Sequence, residues 1–141
     1  MAKEKKVVGI AFIHEGKLLI VQSVRSSHNN IWTMIGGGVN EGESEVEAAI
    51  REVGEEIHNG YTIKEEDLRP VMCFKESAAS DPEMTIIMTM FICTKPIDVA
   101  LSPDFEILKY HWYKLGEADY KISSAIRDHF IPFAVNEGIM Y

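Results

Sequence analysis

Apolar and β-branched residues occur in short runs along much of the chain, and these runs predict β-strands. The first two runs, 7–13 and 17–24, are separated by His14-Glu15-Gly16, which is typical of a hairpin because glycine adopts positive φ readily. Further strands are predicted from the runs at 68–74, 85–94 and 107–113. The chain is therefore expected to begin with a hairpin and to contain at least five strands.

Two segments have the three-and-four spacing of apolar residues that is typical of an amphipathic helix. In the first segment these apolar residues are Val46, Ala49, Ile50, Val53 and Ile57. Ser44 and Glu47 have the form of a capping box, which predicts the start of this helix, and Asn59-Gly60 offers a left-handed end. The second segment, 122–133, predicts a closing helix that ends by Ile131, since proline disfavours helix in the residue before it.

Three consecutive glycines, Gly36 to Gly38, lie between an apolar run and the first predicted helix. We expect such a triplet to contribute nothing to packing, because it has no side chains. Its backbone can instead approach a ligand closely. We therefore interpret the triplet as a place where backbone groups contact a ligand.

The composition indicates a single domain that covers residues 1–141. The chain has 141 residues, of which 46% are hydrophobic, and this suffices for one buried core. Its net charge of -8 repels nucleic-acid phosphates, so we expect no long nucleic acid among its partners. A small phosphorylated ligand is compatible with this charge if a divalent cation lies between ligand and protein.

The first apolar run and the cysteines bear on the compartment. The run 7–13 is too short for a signal peptide or a membrane span, so no membrane partner is expected. Cys73 and Cys93 have neither metal-ligand spacing nor a disulfide pattern, and we interpret both as small core residues. A reducing, cytoplasmic location is therefore the default.

The segment from Glu41 to Glu56 is strongly acidic, with seven glutamates and one basic residue, Arg51. Glu52, Glu55 and Glu56 lie in the second half of the predicted helix, where the helix dipole disfavours anions. Their i, i+3, i+4 spacing places them on one face, where their charges repel one another. Such a face is either simply solvated or binds a divalent cation such as Mg2+, which prefers oxygen ligands. The nearby glycines favour a cation because they offer backbone oxygens at the same place.

The spacing of these residues resembles the Nudix box. The matching positions are Gly37, then Glu43 after five residues, then Arg51-Glu52-Val53-Gly54-Glu55-Glu56 after seven more. The box spans 23 residues, from Gly37 to Asn59, and six polar or glycine positions match at the correct spacing. A hairpin before the box and tryptophans on either side of it also resemble the family.

Four positions depart from the family pattern. The box normally closes with glycine and an aliphatic residue, but this chain has His58 and Asn59, with Gly60-Tyr61 following two residues late. We interpret this as a slightly longer helix. Ile35 replaces a common proline and Asn40 a common acidic residue, which bears on loop rigidity or substrate preference. None of these changes removes a metal ligand.

The resemblance implies an α/β fold, a Nudix-type α/β/α sandwich with a mixed β-sheet between helices. It also implies a hydrolase that uses Mg2+, or Mn2+, while water attacks phosphorus in a nucleoside diphosphate linked to another moiety. The implied metal ligands are Glu52, Glu55, Glu56 and the carbonyl of Gly36. Arg51 and Glu43 are implied to form an ion pair that orients the metal-binding glutamates, and the implied catalytic set is Glu52, Glu55, Arg51 and Glu43.

The resemblance leaves the general base and the substrate contacts open. The base is Glu52 or a glutamate from a later loop, for which Glu106 is the first candidate and Glu76 and Glu83 follow. The candidates for substrate binding are Arg25, Gly37, Gly38 and Glu106. Trp32 or Phe74 offers a ring that can stack on a base.

Two other functions match parts of the sequence. A Nudix-fold module can sense a nucleotide without hydrolysing it, although a complete set of three carboxylates argues against this. An isomerase of the isopentenyl diphosphate type needs a catalytic cysteine, and neither Cys73 nor Cys93 lies in a suitable context. The substrate is open among an oxidised nucleoside triphosphate, ADP-ribose, a dinucleoside polyphosphate and a nucleotide sugar, and a homodimer is compatible with the sequence.

Overall fold

A computed structural model describes residues 3–23, 30–57, 61–77, 83–97 and 107–141 of the chain. The strands in chain order are β1 (Lys3–Ala11), β2 (Ile13–His14), β3 (Lys17–Ser23), β4 (Ile35–Gly38), β5 (Leu68–Ser77), β6 (Met84–Cys93) and β7 (Ile107–Tyr113). The helical elements are α1 (Glu45–Glu56), a short 3-10 turn (Glu65–Asp67), a π-helical segment (Ala125–Phe130) and α2 (Ile131–Asn136), which continues it. A strand is present at each of the five predicted apolar runs.

Four strands form a mixed sheet in the order β4-β1-β6-β5, and three form an antiparallel sheet in the order β2-β3-β7. β1 is antiparallel to β4 and parallel to β6, which makes the first sheet mixed. β2 and β3 form the predicted hairpin, and both Glu15 and Gly16 adopt positive φ in its turn. In the described sheet β4 is therefore an edge strand, with β1 beside it.

Side chains alternate between the two sides of β1, and each side has its own hydrophobic core. Val8 and Ile10 belong to the cluster that contains Val53 of α1. Ala11 belongs to a second cluster, which contains Phe130 of the C-terminal helix. The strands thus lie between two helical layers, and the predicted α/β/α sandwich with a mixed sheet is confirmed.

The start of α1 follows the predicted capping box. The Glu47 N–H donates to Ser44 Oγ at 3.1 Å, and the Ser44 N–H donates to Glu47 Oε1 at 3.0 Å. Ala48, Ala49 and Val53 are fully buried against the sheet. The apolar stripe of the helix is therefore confirmed, with Ala48 as an additional member.

The end of α1 differs from the prediction of a longer helix. Ile57 is extended, with φ of -112° and ψ of 101°, so the helix ends at Glu56. The Ile57 side chain is only 4% exposed, because it turns into the core beside Val53. Burial of this side chain explains the early end, and the predicted left-handed cap at 58–60 lies outside the described residues.

The prediction that the C-terminal helix ends by Ile131 is wrong, because the helix continues to Asn136. In the π-helical segment before Pro132 the hydrogen bonds span five residues, and the Ile131 N–H donates to the Ile126 carbonyl. Pro132 then lies in the first turn of α2, where a missing N–H is tolerated. The wider turn explains why the helix passes the proline.

The prediction that both cysteines lie in the core is wrong for Cys73. Cys93 is buried, but Cys73 is exposed. Cys73 lies on β5, an edge strand of the described sheet on which half-buried and exposed positions alternate from Met72 onward. Within the described segments, no helix has the length and apolar character needed to cross a membrane.

The glycine triplet forms the last three residues of β4 and is closely packed, contrary to the prediction. Gly36, Gly37 and Gly38 pair with Gly9, Val8 and Val7 of β1. A Cβ atom on Gly36 would overlap the Val8 carbonyl oxygen, and one on Gly37 would lie 2.6 Å from Glu52 Cδ. The glycines are therefore needed because the β1 backbone and the Glu52 side chain lie where larger residues would project.

Candidate functional site

Glu52 is packed against the backbone of β4. Gly37 pairs with Val8, so its missing side chain would point towards the α1 side of the sheet. The Glu52 side chain lies there and is only 13% exposed. Its carboxylate therefore lies directly on Gly37, where any larger residue would displace it.

Arg51 connects three glutamates to β4. Its Nε and Nη2 donate to the two carboxylate oxygens of Glu43, both at 2.9 Å. Nη2 also donates to the Gly38 carbonyl at 2.8 Å, and Nη1 donates to Glu52 Oε1 at 3.0 Å and to Glu55 Oε2 at 3.2 Å. The ion pair implied by the resemblance is thus present, and the guanidinium makes further contacts that the sequence did not predict.

Glu43 is held in its charged form. Besides Arg51, the Asn40 backbone N–H donates to Glu43 Oε1 at 3.0 Å. These hydrogen bonds, that of Arg51 first, lower the pKa of Glu43 from 4.5 to about 2. The hydrogen bond to Glu43 in turn raises the pKa of Arg51 above its ordinary value. The pair is therefore fully charged at neutral pH.

The lowered pKa of Glu43 predicts a pH-dependent contribution to stability. The contribution is fully present above pH 4.5, where the carboxylate is ionised even in the unfolded chain, and it is lost as the pH falls towards about 2. Glu43→Gln is therefore expected to lower the free energy of unfolding at neutral pH. Urea denaturation should show the difference from wild type shrinking between pH 4.5 and about 2. A difference in the free energy of unfolding that stays constant over this range would contradict the proposed cause. The control is Glu41→Gln, a change at an exposed residue of the same acidic segment.

Each glycine of β4 contacts a different residue of α1. The Gly36 N–H donates to Glu56 Oε2 at 2.9 Å, Gly37 lies under Glu52, and the Gly38 carbonyl accepts from Arg51. The resemblance names the Gly36 carbonyl as a metal ligand, but the contact found here is made by its amide. These contacts were not predicted, and the glycines were the one signal in the sequence that could have indicated them.

The donor atoms at this site fit a hard divalent cation in chemistry, because they are carboxylate and carbonyl oxygens. Within the described ranges, however, no three His, Cys, Asp or Glu side chains are grouped as a ready-made metal site. Arg51 Nη1 contacts both Glu52 and Glu55. A cation bound to these two carboxylates would replace the hydrogen bonds of Nη1. Nε and Nη2 would keep their hydrogen bonds to the Glu43 carboxylate and the Gly38 carbonyl.

Of the other candidate bases, the structure describes Glu76 and Glu83. Glu106 and the substrate-binding candidate Arg25 lie outside the described residues. Glu83 is an exposed residue before β6. Glu76 is two residues from Phe74, which packs on the second cluster, so it faces the side of the sheet away from α1. There His129 Nε2 lies 2.8 Å from Glu76 Oε2, and Glu76 is therefore a poor candidate for the general base.

The two rings considered for stacking also lie away from the carboxylates. Trp32 is only 8% exposed and contacts Tyr120 edge to face, with 5.4 Å between ring centroids. Phe74 stacks on His129 with 3.8 Å between centroids. Both rings belong to or pack against the second cluster, on the side of the C-terminal helix. Their present contacts are accordingly those of core packing.

Several solved structures of known proteins have a fold similar to that of this chain. The fold is similar to that of a MutT protein from Methanosarcina mazei Go1, with a TM-score of 0.70, 23% identity and coverage of 96% of both chains. It is similar to a NUDIX hydrolase from Nitrosomonas europaea, with a TM-score of 0.71, 19% identity and coverage of 99% of this chain and 93% of that one. It is also similar to the dihydroneopterin triphosphate pyrophosphohydrolase of E. coli, with a TM-score of 0.67, 19% identity and coverage of 95% of this chain and 99% of that one. No curated protein matches the chain.

Similarity at these identities establishes a shared fold. The family is established separately, because residues 3–133 match the model of the NUDIX domain. That match covers nearly the whole chain and includes the acidic helix, its arginine and the glycine strand. The chain therefore belongs to the NUDIX family.

Proposed function

We propose that the chain is a Nudix hydrolase that splits a diphosphate bond in a nucleoside diphosphate linked to another moiety, with Mg2+ or Mn2+ as cofactor. The observation that carries the proposal is the placement of Glu52 on the backbone of β4, with Arg51 holding it and Glu55 on the same helix face. Because Gly36, Gly37 and Gly38 carry no side chains, this stretch of β4 leaves room beside the carboxylates for a phosphorylated ligand and its cation.

Glu52, Glu55 and Glu56, with the Gly36 carbonyl, would hold the cation. When bound, such an ion neutralises phosphate charge and lowers the pKa of the attacking water. The chain's own part is to fix these oxygens in advance. Arg51 does this through Glu43 and the Gly38 carbonyl, since both of those contacts are independent of the nitrogen that holds Glu52 and Glu55.

Glu52 is the general base that the described geometry favours. It lies on β4 among the proposed ligands, whereas Glu76 faces the other side of the sheet. A carboxylate acts as a base by accepting the proton of the attacking water. Glu106 stays a second candidate, because it lies outside the described residues.

A nucleotide-sensing module is the second candidate function. The contact of Arg51 with both Glu52 and Glu55 favours it, because these carboxylates already have a positive partner within the chain. A sensor needs only to bind its ligand. The two functions differ in whether any bond is broken.

A panel of diphosphate compounds separates the two functions. An oxidised nucleoside triphosphate, ADP-ribose, a dinucleoside polyphosphate and a nucleotide sugar are each incubated with Mg2+, Mn2+ or a chelator, and release of products is measured. We expect the wild type to hydrolyse at least one compound only with a metal ion present. Glu55→Gln is expected to lower that rate at least about tenfold.

The matched control is Glu41→Gln, an exposed change in the same acidic segment, which should leave the rate unaltered. If one compound binds tightly to the wild type and none is hydrolysed by either protein, the sensor replaces the hydrolase.

A further inference from the structure

Lys5 of β1 lies on the last glycine of β4. By alternation Lys5 is on the same face of the sheet as Val7, the residue that pairs with Gly38. A Cβ atom on Gly38 would lie 2.9 Å from Lys5 Cε and 3.3 Å from Lys5 Nζ. The end of the lysine side chain therefore occupies the space that the missing side chain of Gly38 leaves.

This places a positive charge directly across β4 from the carboxylates. Gly37 faces α1 and Glu52, whereas Gly38 faces the opposite side, because successive residues of a strand alternate. Gly37 and Gly38 are neighbours, so their Cα atoms are about 3.8 Å apart. Because Glu52 lies on Gly37 and Lys5 on Gly38, the Glu52 carboxylate and the Lys5 ammonium are separated by at most about 13 Å. A chain of two or three phosphates with its attached group can cross this edge strand at Gly37 and Gly38, which carry no side chains.

Lys5 is a cation at β4 that is available to a phosphate, whereas Arg51 is not. Arg51 is engaged by Glu43, Glu52 and Glu55 and by the Gly38 carbonyl. In the part of the chain that the structure describes, Lys5 is exposed and no carboxylate lies within ion-pair distance of it. An anionic ligand that arrives at the acidic helix thus meets the Lys5 ammonium at the last glycine of β4.

We infer that Lys5 binds a phosphate of the substrate and positions the phosphate chain across β4. This rests on the proposed function, since it assumes that the bond to be cut lies at Glu52. Lys5 contributes a charge-assisted contact to the ligand and takes no part in proton transfer. Its loss is therefore expected to weaken binding and to leave the chemical step nearly unchanged.

The test measures binding of inorganic diphosphate by titration calorimetry, so that it does not depend on turnover. Lys5→Met keeps most of the aliphatic stem and removes the charge, and it should weaken diphosphate binding at least about tenfold. Lys5→Arg should restore the affinity to within about threefold of wild type. Lys5 is exposed, so these variants are expected to fold.

Lys3→Met is the matched control, because it makes the same change on the same strand and face but farther from Gly38. It should bind diphosphate as the wild type does. Wild-type affinity in Lys5→Met, or an equal loss in Lys3→Met, would overturn the inference. The second result would mean that only the overall charge matters.

Kinetics with a hydrolysed compound provide a second readout. Lys5→Met should raise KM about tenfold and leave kcat within about twofold of wild type. A fall in kcat with an unchanged KM would contradict a binding role. If no compound in the panel is hydrolysed, the proposed function fails, but the diphosphate titration still decides whether Lys5 binds phosphate.

Gly38→Ala tests the packing that places Lys5. Its Cβ would press on Lys5 Cε, so the ammonium must move and diphosphate affinity should fall. In the Lys5→Met background the same change should have a smaller effect on affinity, because there is no ammonium to displace. Equal effects in both backgrounds would contradict the coupling.

Discussion

Glu52→Gln is expected to lower kcat at least about 100-fold, because it removes both a proposed metal ligand and the favoured general base. Glutamine has nearly the same shape and still offers an oxygen to Arg51, so the free energy of unfolding should change by less than about 1 kcal/mol. Steady-state kinetics on a hydrolysed compound and urea denaturation measure the two quantities.

Glu45→Gln serves as the control, since it makes the same change in the first turn of α1, away from β4. It should keep wild-type kcat. A Glu52→Gln protein with near-normal kcat would show that the carboxylate is not needed for the reaction, and Glu106 would become the leading base. A large loss of stability would instead assign Glu52 a structural role.

Gly37→Ala is expected to lower kcat/KM about 100-fold without unfolding the protein, because misplacement of a reacting group by about 1 Å can have that effect. The new methyl group would lie 2.6 Å from Glu52 Cδ, whereas ordinary contacts begin at 3.4 Å. The Glu52 carboxylate is the end of a flexible side chain and can move away. Thermal denaturation should therefore show a small change in Tm beside a large change in activity.

Gly54→Ala is the matched control for Gly37→Ala. It lies on the same helix as Glu52, its Cβ would meet nothing within 4 Å, and its φ is not positive. Replacement should raise stability by about 1 kcal/mol, as alanine does in a helix interior, and leave kcat/KM unaltered. Normal activity in Gly37→Ala would mean that contact between Glu52 and β4 is not required.

The features that sequence predicted best depend on short-range chemistry. The capping box at Ser44 and the apolar stripe of α1 follow from residues three and four apart, and both were confirmed. The ion pair of Arg51 and Glu43 was implied by the resemblance to the Nudix box, whose positions are recognised by local spacing. Local spacing of this kind does not depend on how distant parts of the chain meet.

The features that sequence missed depend on contacts between distant segments. The glycines of β4 were expected not to pack, but α1 and β1 approach them from two sides. Pro132 was expected to end the last helix, but a π-helical turn precedes it. Cys73 was placed in the core because its run is apolar, while the sheet order makes its strand an edge. The roles of Arg25 and Glu106 stay predictions.

The parallel pairing of β1 with β6 has a consequence for the order of folding. β1 precedes β6 along the chain by most of the described elements, yet Lys3 pairs with Met84 and Ala11 with Ile92. The strand that carries Lys5 therefore lacks one of its two neighbours until most of the chain exists, and closing so long a loop slows folding. Until then this edge of β1 stays unpaired, which is the kind of exposure that favours aggregation during folding.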